Sequence, residues 1–119
     1  MEESIRRQWR WYSPRDDEPV TKQEFQKLPK HGQGALIAAM KRYAQGDDRG
    51  GMLKRIENNL FELRVQVGTD PFRILFFHDS PVHCIVLHVF YKNQQKLPLR
   101  AKELAKKRRA RWQRVHELQ

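Results

Sequence analysis

Residues 60–92, LFELRVQVGTDPFRILFFHDSPVHCIVLHVFYK, constrain the fold most because they hold most of the residues that can build a hydrophobic core. Apolar and polar residues alternate over 61–67, a pattern that predicts a strand with one buried and one solvated face. In residues 72–78 and 83–91, odd-numbered and even-numbered positions alike are mainly apolar, a pattern that predicts strands covered on both faces. Only short runs of turn residues separate the three, so the sequence predicts an antiparallel three-stranded meander.

The segment before residue 30 predicts one further strand and a short helix. Residues 6–12 form an edge strand in this interpretation, with Trp9 and Trp11 on the buried face. Thr21 and Glu24 match a capping box, in which two side chains satisfy the first free N–H groups of a helix. The pattern therefore predicts a helix that begins at Thr21 and ends before the next proline.

A second helix is predicted over about 30–44, with Gly46 at the C-terminal cap position. Its apolar stripe comprises Leu36, Ile37, Met40, Tyr43 and Ala44. Residues 52–59 are expected to lead into the first meander strand. A basic third helix follows Pro98, and Arg108 interrupts its apolar stripe. That stripe comprises Ala101, Leu104, Ala105, Trp112 and Val115.

These elements predict the α+β class and a single domain over 1–119. A small antiparallel sheet combines the N-terminal strand with the meander, and the two N-terminal helices and the C-terminal basic helix pack on one of its faces. Residues 1–19 are the N-terminal strand and loop, and residues 113–119 are expected to form a frayed tail. Cys84 is the single cysteine, so no disulfide framework is available. No apolar run approaches the ~18 residues of a membrane span, and the chain is expected to be cytoplasmic with no membrane partner.

Charge is the strongest bulk signal, since 24 Lys and Arg against 14 Asp and Glu give a formal net charge of +10. Residues 100–114 alone hold eight basic residues and one acidic residue. An isolated run of this kind is often a solvated helix face, but this density favours nucleic acid as the partner. The candidate RNA-binding residues are Lys54, Arg55, Lys96, Arg100, Lys102, Lys106, Lys107, Arg108, Arg109 and Arg111.

The sequence offers little for metal or nucleophilic catalysis. His78, His83 and His88 come five residues apart, so they do not share one face of a continuous strand pair, and no carboxylate cluster accompanies them. No serine lies in a nucleophile-elbow pattern. No metal site and no cofactor are therefore predicted. Cleavage of RNA by its own 2′-hydroxyl remains available, because that reaction needs only cations and a proton shuttle.

Five residues of the meander suit that reaction. Arg64 and Arg73 are each the lone cation of a strand and offer forked donors to phosphate oxygens. Lys92 adds a third charge at the end of the last strand. His88 and Tyr91 can carry protons or stack on a base, although a histidine in an apolar strand is more often a hydrogen-bonded core residue. For Arg64 an ordinary solvent-facing role is equally compatible with the pattern.

The order and spacing of five motifs resemble the RelE/HigB superfamily, and in particular its phage-derived branch of HigB-type toxins. The motifs are FELR at 61–64, PFRILFF at 71–77, LHVFYK at 87–92, KLP at 96–98 and ExA at 103–105. The match covers roughly residues 20–112. The resemblance implies a RelE/ParE-like fold and a type II toxin that cleaves translated mRNA in the ribosomal A site without a metal.

The resemblance also implies partners and roles. Arg64 and Arg73 would hold the scissile phosphate, Lys92 would support them, and His88 or Tyr91 would transfer protons or stack on a base. The basic last helix would bind ribosomal or messenger RNA. A cognate antitoxin, of the helix-turn-helix kind in this branch, would neutralise the toxin and would be its only link to promoter DNA.

Three positions depart from the pattern of that branch, and two other function classes stay open. Val89 replaces a glycine, Asn93 a second lysine and Leu97 the threonine before proline. The first alternative is a ParE-like inhibitor of DNA gyrase, which predicts DNA damage signalling with intact mRNA. The second is a non-catalytic, basic nucleic-acid-binding phage accessory protein, which predicts salt-dependent binding without toxicity.

Overall fold

The computed structural model describes residues 6–14, 18–47, 52–91 and 96–117. Its strands form one five-stranded sheet in the order β1-β5-β4-β3-β2, with helices on both faces. The elements are β1 (Gln8–Trp11), α1 (Val20–Gln26), α2 (Lys30–Ala44), β2 (Leu53–Glu57), β3 (Leu60–Val67), β4 (Asp70–His78), β5 (His83–Tyr91) and α3 (Leu99–Glu117). The α+β class predicted from the sequence is confirmed.

The predicted meander forms, since β3, β4 and β5 pair antiparallel in chain order. One irregularity interrupts the β4–β5 pairing: Leu75 pairs with His88, whereas Phe76 pairs with Val86. Leu87 is thus an extra residue on β5, as in a β-bulge. The bulge turns both Leu87 and His88 toward the same face of the sheet.

Two predictions about the sheet are wrong. The N-terminal strand lies at the sheet edge as expected, but β1 pairs parallel with β5, so the sheet is mixed. Between β1 and β5 the chain passes through α1, α2, β2, β3 and β4, and a connection of this length allows a parallel pair. In addition, Leu53–Glu57 does more than lead into the meander, because it forms β2 and pairs antiparallel with β3. Adjacent cations at Lys54 and Arg55 break the period-2 pattern that would have revealed this edge strand.

The prediction that all helices pack on one face is also wrong. Helices α1 and α2 cover one face, where Phe76 and the other even-numbered β4 residues point. Helix α3 covers the opposite face through Ala101, Ala105 and Trp112. Part of the α3 face of β3, which was expected to be solvated, is therefore covered, and Glu62 is only 4% exposed, whereas Gln66 is exposed as expected. None of the helices in the described segments is long and apolar enough to cross a membrane.

The helix ends agree with the sequence in part. Helix α2 has the predicted bounds, and Gly46, with φ of 92°, donates its N–H to the Tyr43 carbonyl as a C-terminal cap. Ile37, assigned to the apolar stripe of α2, is instead 41% exposed. Helix α3 extends to Glu117, so residues 113–117, expected to fray, are helical.

The capping box at the start of α1 does not form. The helix begins at Val20, and its N-cap residue, Pro19, makes no side-chain cap. The Thr21 hydroxyl is fully buried and donates to the Tyr12 carbonyl at 3.3 Å. The Glu24 carboxylate does not cap α1 and instead contacts His88 and the Val89 N–H on β5.

Candidate active site

The α3 face of the sheet brings together three of the five predicted catalytic residues. Arg64 on β3 and Arg73 on β4 are direct cross-strand partners. His88 on β5 pairs with Leu75, one step along the same face of β4. Because the pleat puts alternate residues on one face, the side chains of Arg64, Arg73 and His88 share that face.

Arg73 is held by protein groups. Its side chain is 1% exposed and lies 3.8 Å from the Glu62 carboxylate, measured from Nη1 to Oε2. The same Nη1 donates to the Lys96 carbonyl at 3.3 Å, and the guanidinium lies 5.9 Å from the Phe90 ring centre. Burial lowers the pKa of Arg73, Glu62 opposes that change, and the nearby Arg64 adds to it. The Arg73 guanidinium therefore faces buried protein groups, and its binding of a phosphate stays a prediction.

His88 belongs to a network around one carboxylate. Its Nδ1 lies 3.0 Å from Glu24 Oε1, which also accepts the Val89 N–H at 3.0 Å. The other oxygen, Oε2, accepts from Arg108 Nη1 at 2.9 Å. Arg108 Nη1 donates in addition to the Leu87 carbonyl at 2.9 Å. The network ties α1 and α3 to the bulge of β5.

The carboxylate of this network is ionised at neutral pH. Burial disfavours the charge of Glu24, but His88, the Val89 N–H and Arg108 outweigh burial, so the pKa of Glu24 lies below its ordinary value of 4.5. A group with a lowered pKa stabilises the fold above its ordinary pKa. The network therefore loses this contribution as the pH falls through the lowered pKa of Glu24.

Tyr91 and Lys92 do not join the other three in the structure. Tyr91 pairs with Phe72 and stacks on its ring at 4.9 Å, on the face that α1 and α2 cover. Its side chain is at the end of β5 and is 41% exposed. Lys92 lies outside the described residues. Only Arg64, Arg73 and His88 can therefore be placed on one surface.

The predicted RNA-binding residues divide into two sets. Four of them hold α3 to the rest of the fold. Arg108 binds Glu24, Arg109 donates to the Asn58 and Asn59 carbonyls, and Lys102 and Lys106 lie 3.9 and 3.3 Å from Glu57 Oε1. The other six are exposed: Lys54, Arg55, Lys96, Arg100, Lys107 and Arg111. This division explains why Arg108 interrupts the apolar stripe of α3.

A basic cleft of about 260 Å³ lies between α3 and the segment that follows β1. Tyr12 lies on one side, and Lys107, Arg111 and Arg114 contribute cations from α3. These cations are four and three residues apart, so they share one helix face. Arg114 was missed as an RNA-binding candidate, although its spacing from Arg111 was a usable signal.

Glu24 is the other functional candidate that sequence reasoning missed. The capping-box pattern gave it a local role, and nothing in the sequence signals a contact with His88, 64 residues away. Across the described ranges, no group of three or more His, Cys, Asp or Glu residues is arranged to hold a metal ion.

Comparison with known proteins adds independent evidence. The family model described as phage derived protein Gp49-like (DUF891) matches residues 23–110. The probable endoribonuclease HigB1 of Mycobacterium tuberculosis strain CDC 1551 / Oshkosh is 43% identical over 100 residues, which cover 84% of this chain and 79% of the relative. The protein of the same name from strain ATCC 25618 / H37Rv gives the same identity and coverage.

Proposed function

The chain belongs to the Gp49-like family of phage-derived proteins, and on this basis we propose that it is a HigB-type endoribonuclease toxin that cleaves translated mRNA. The identity of 43% to probable endoribonucleases, over most of both chains, supports the RNase activity. The basic surface of α3 supports an RNA substrate, because cations on one face of a helix neutralise phosphates.

The observation that carries this proposal is the placement of His88 and Arg64 on one sheet face with partly exposed side chains. They lie two strands apart and are offset along β4 from Arg73, the partner of Arg64, to Leu75, the partner of His88. Ordinary strand spacings give a separation of about 12 Å between their Cα atoms. This separation leaves room for a phosphate, which the long Arg64 side chain reaches from β3. Arg73 has a supporting role here, because it is buried against Glu62.

The reaction assigned to these residues is transfer of the phosphate to the neighbouring 2′-oxygen. The 2′-oxygen bonds to phosphorus and the bond to the 5′-oxygen breaks, which leaves a 2′,3′-cyclic phosphate and a 5′-hydroxyl. His88 takes the proton of the 2′-hydroxyl as general base, and solvent water supplies the proton that converts the leaving 5′-oxygen to a hydroxyl. Arg64 stabilises the charge that develops on the phosphate oxygens. Tyr91, the last residue of β5, is assigned to base stacking, and Lys92, which follows it in the sequence, to phosphate binding.

The partner assigned to this toxin is a cognate antitoxin of the helix-turn-helix kind, through which the complex reaches promoter DNA. With a net charge of +10 on the toxin, an acidic or amphipathic antitoxin segment is the complementary surface. A ribosome-bound substrate places the active toxin in the cytoplasm.

The test is inducible expression in a bacterial host, with growth and mRNA 5′ ends followed together. We expect growth arrest and cleavage within translated codons from the wild type and from Arg10→Ala, which removes an exposed arginine from β1. Arg64→Ala is expected to abolish both effects. Arrest with intact mRNA would instead identify a gyrase-type target, and normal growth would identify a binding protein; either result overturns the proposal.

A second prediction concerns the basic cleft. Replacing Lys107, Arg111 and Arg114 with glutamine is expected to weaken binding to single-stranded RNA and to reduce the salt slope of log K by about 2, at ~0.7 per lost phosphate contact. Fluorescence anisotropy between 50 and 300 mM salt, roughly the range where such slopes are measured, provides the readout.

The matched control for the basic cleft removes the same charge elsewhere. The set is Lys22, Lys27 and Lys41, all exposed on α1 and α2 or the turn between them. We expect a smaller loss of affinity from this control than from the cleft variant. Equal losses would mean that net charge, and not the cleft, determines RNA binding.

A further inference from the structure

We propose that Glu24 is a positioning residue, which holds the His88 imidazole with its proton on Nδ1 and its Nε2 lone pair turned to the substrate. The inference rests on the proposed function, because it assigns His88 to proton transfer. Glu24 belongs to α1 and lies 64 positions from His88 in the chain.

The donors around the carboxylate dictate the tautomer. An ionised carboxylate only accepts hydrogen bonds, so the 3.0 Å contact with Glu24 Oε1 requires a hydrogen on His88 Nδ1. In the neutral ring Nε2 then carries the lone pair that a general base needs. None of the described residues makes a hydrogen bond to His88 Nε2, and the side chain keeps 18% of its surface exposed.

The same contacts fix the ring in space. The Val89 N–H and Arg108 Nη1 hold the carboxylate from β5 and from α3, so Glu24 cannot swing away without breaking two further hydrogen bonds. On its other side the His88 ring stacks on Phe90 at 4.9 Å with an interplanar angle of 18°. A base held on two sides loses little orientational freedom when substrate binds.

The surroundings of His88 give the inference an outcome that an experiment can read. Glu24 faces the ring from α1 and is the acceptor for His88 Nδ1, whereas Arg108 reaches from α3 to the other oxygen of the same carboxylate. The adjoining strand β4 presents an apolar group, Leu75, at this pair. Replacing Glu24 therefore removes the carboxylate acceptor beside the ring, and replacing Arg108 keeps it.

The experiment measures cleavage of mRNA on translating ribosomes for purified wild type, Glu24→Gln and Arg108→Gln. Glu24→Gln is expected to slow cleavage about tenfold to a hundredfold, in line with loss of an orienting partner of a histidine. Arg108→Gln is expected to slow cleavage less, because the Glu24 carboxylate remains beside His88 Nδ1.

Two outcomes separate a positioning role from a structural one. If Glu24 and Arg108 only stabilise the fold, both variants lose activity in proportion to their loss of stability, and the inference is wrong. If the wild type cleaves and His88→Ala does not, an undiminished rate in Glu24→Gln counts against Glu24 alone; an inactive wild type counts against the proposed function.

A spectroscopic measurement needs no activity. Long-range ¹H–¹⁵N correlation spectra of an Arg64→Ala protein, which is expected to be inactive, report the tautomer of His88 directly. The Nδ1–H form is expected with Glu24 present, and a mixture with the Nε2–H form is expected after Glu24→Gln. An Nε2–H tautomer in the presence of Glu24 would overturn the proposal, whatever the variants do to the cleavage rate.

Discussion

Replacing Arg73 with alanine is expected to lower the free energy of unfolding by about 3–5 kcal/mol, the usual result of removing one partner of a buried ion pair. The Arg73 side chain is 1% exposed, and the side chain of its partner Glu62 is 5% exposed. Without Arg73 the buried Glu62 carboxylate loses its ion-pair partner. Since single domains have total stabilities of about 5–15 kcal/mol, a large part of the fold's stability disappears.

A double-mutant cycle tests this prediction by urea unfolding. The cycle compares Arg73→Met, Glu62→Gln and the double variant, in which neither charge remains. We expect the double variant to be more stable than Arg73→Met, because the uncompensated carboxylate has been removed. Arg64→Met is the matched control, since it removes the cross-strand arginine, which is only half-buried. An Arg73→Met protein that is as stable as the wild type but fails to cleave RNA would contradict the structural role and support a catalytic role for Arg73.

The burial of Arg73 beside Glu62 is the part of the site that could not be predicted from the sequence. A lone arginine in an apolar strand has the same sequence signature whether it faces a phosphate or a buried carboxylate. Glu62 was assigned to a solvated face because the alternation over 61–67 reports one buried face only. The covering helix, α3, comes 32 residues after β3 and leaves no mark on that alternation.

The fold itself was more accessible to sequence reasoning. The alternating run predicted β3, and the apolar runs predicted β4 and β5. The Gly46 cap predicted the end of α2. These predictions were possible because the signals are local. The parallel pairing of β1 and the packing of α3 on the second face depend on tertiary contacts. Local patterns do not encode such contacts, so both were predicted incorrectly.

The bulge at Leu87 had the largest effect on the site. Unbroken alternation would put His88 on the face opposite Leu87, under α1 and α2, together with His78. The extra residue turns His88 toward α3 instead, where it shares a face with Arg64 and comes within reach of Arg108. Bulges of this kind are common beside active sites because they redirect a side chain.

His88→Ala is expected to reduce RNA cleavage by about 10²–10⁴-fold, the contribution of a positioned general base, with the fold retained. The ring is partly exposed and packs on Phe90, so its removal leaves no closed cavity. His83→Ala is the matched control: His83 lies at the start of the same strand and contacts Ser80 and Arg10.

Single-turnover cleavage on translating ribosomes provides the measurement for both histidine variants, and circular dichroism provides the check on folding. The His83 variant is expected to cleave like the wild type, because its contacts lie in the turn before β5 and on β1, and not beside Arg64. If His88→Ala keeps more than about one-tenth of the wild-type rate, the proton passes through another group, since a lost general base costs at least about a hundredfold. Tyr91, on the opposite face of β5, is then the next residue to replace, and the reacting phosphate must lie at the end of that strand.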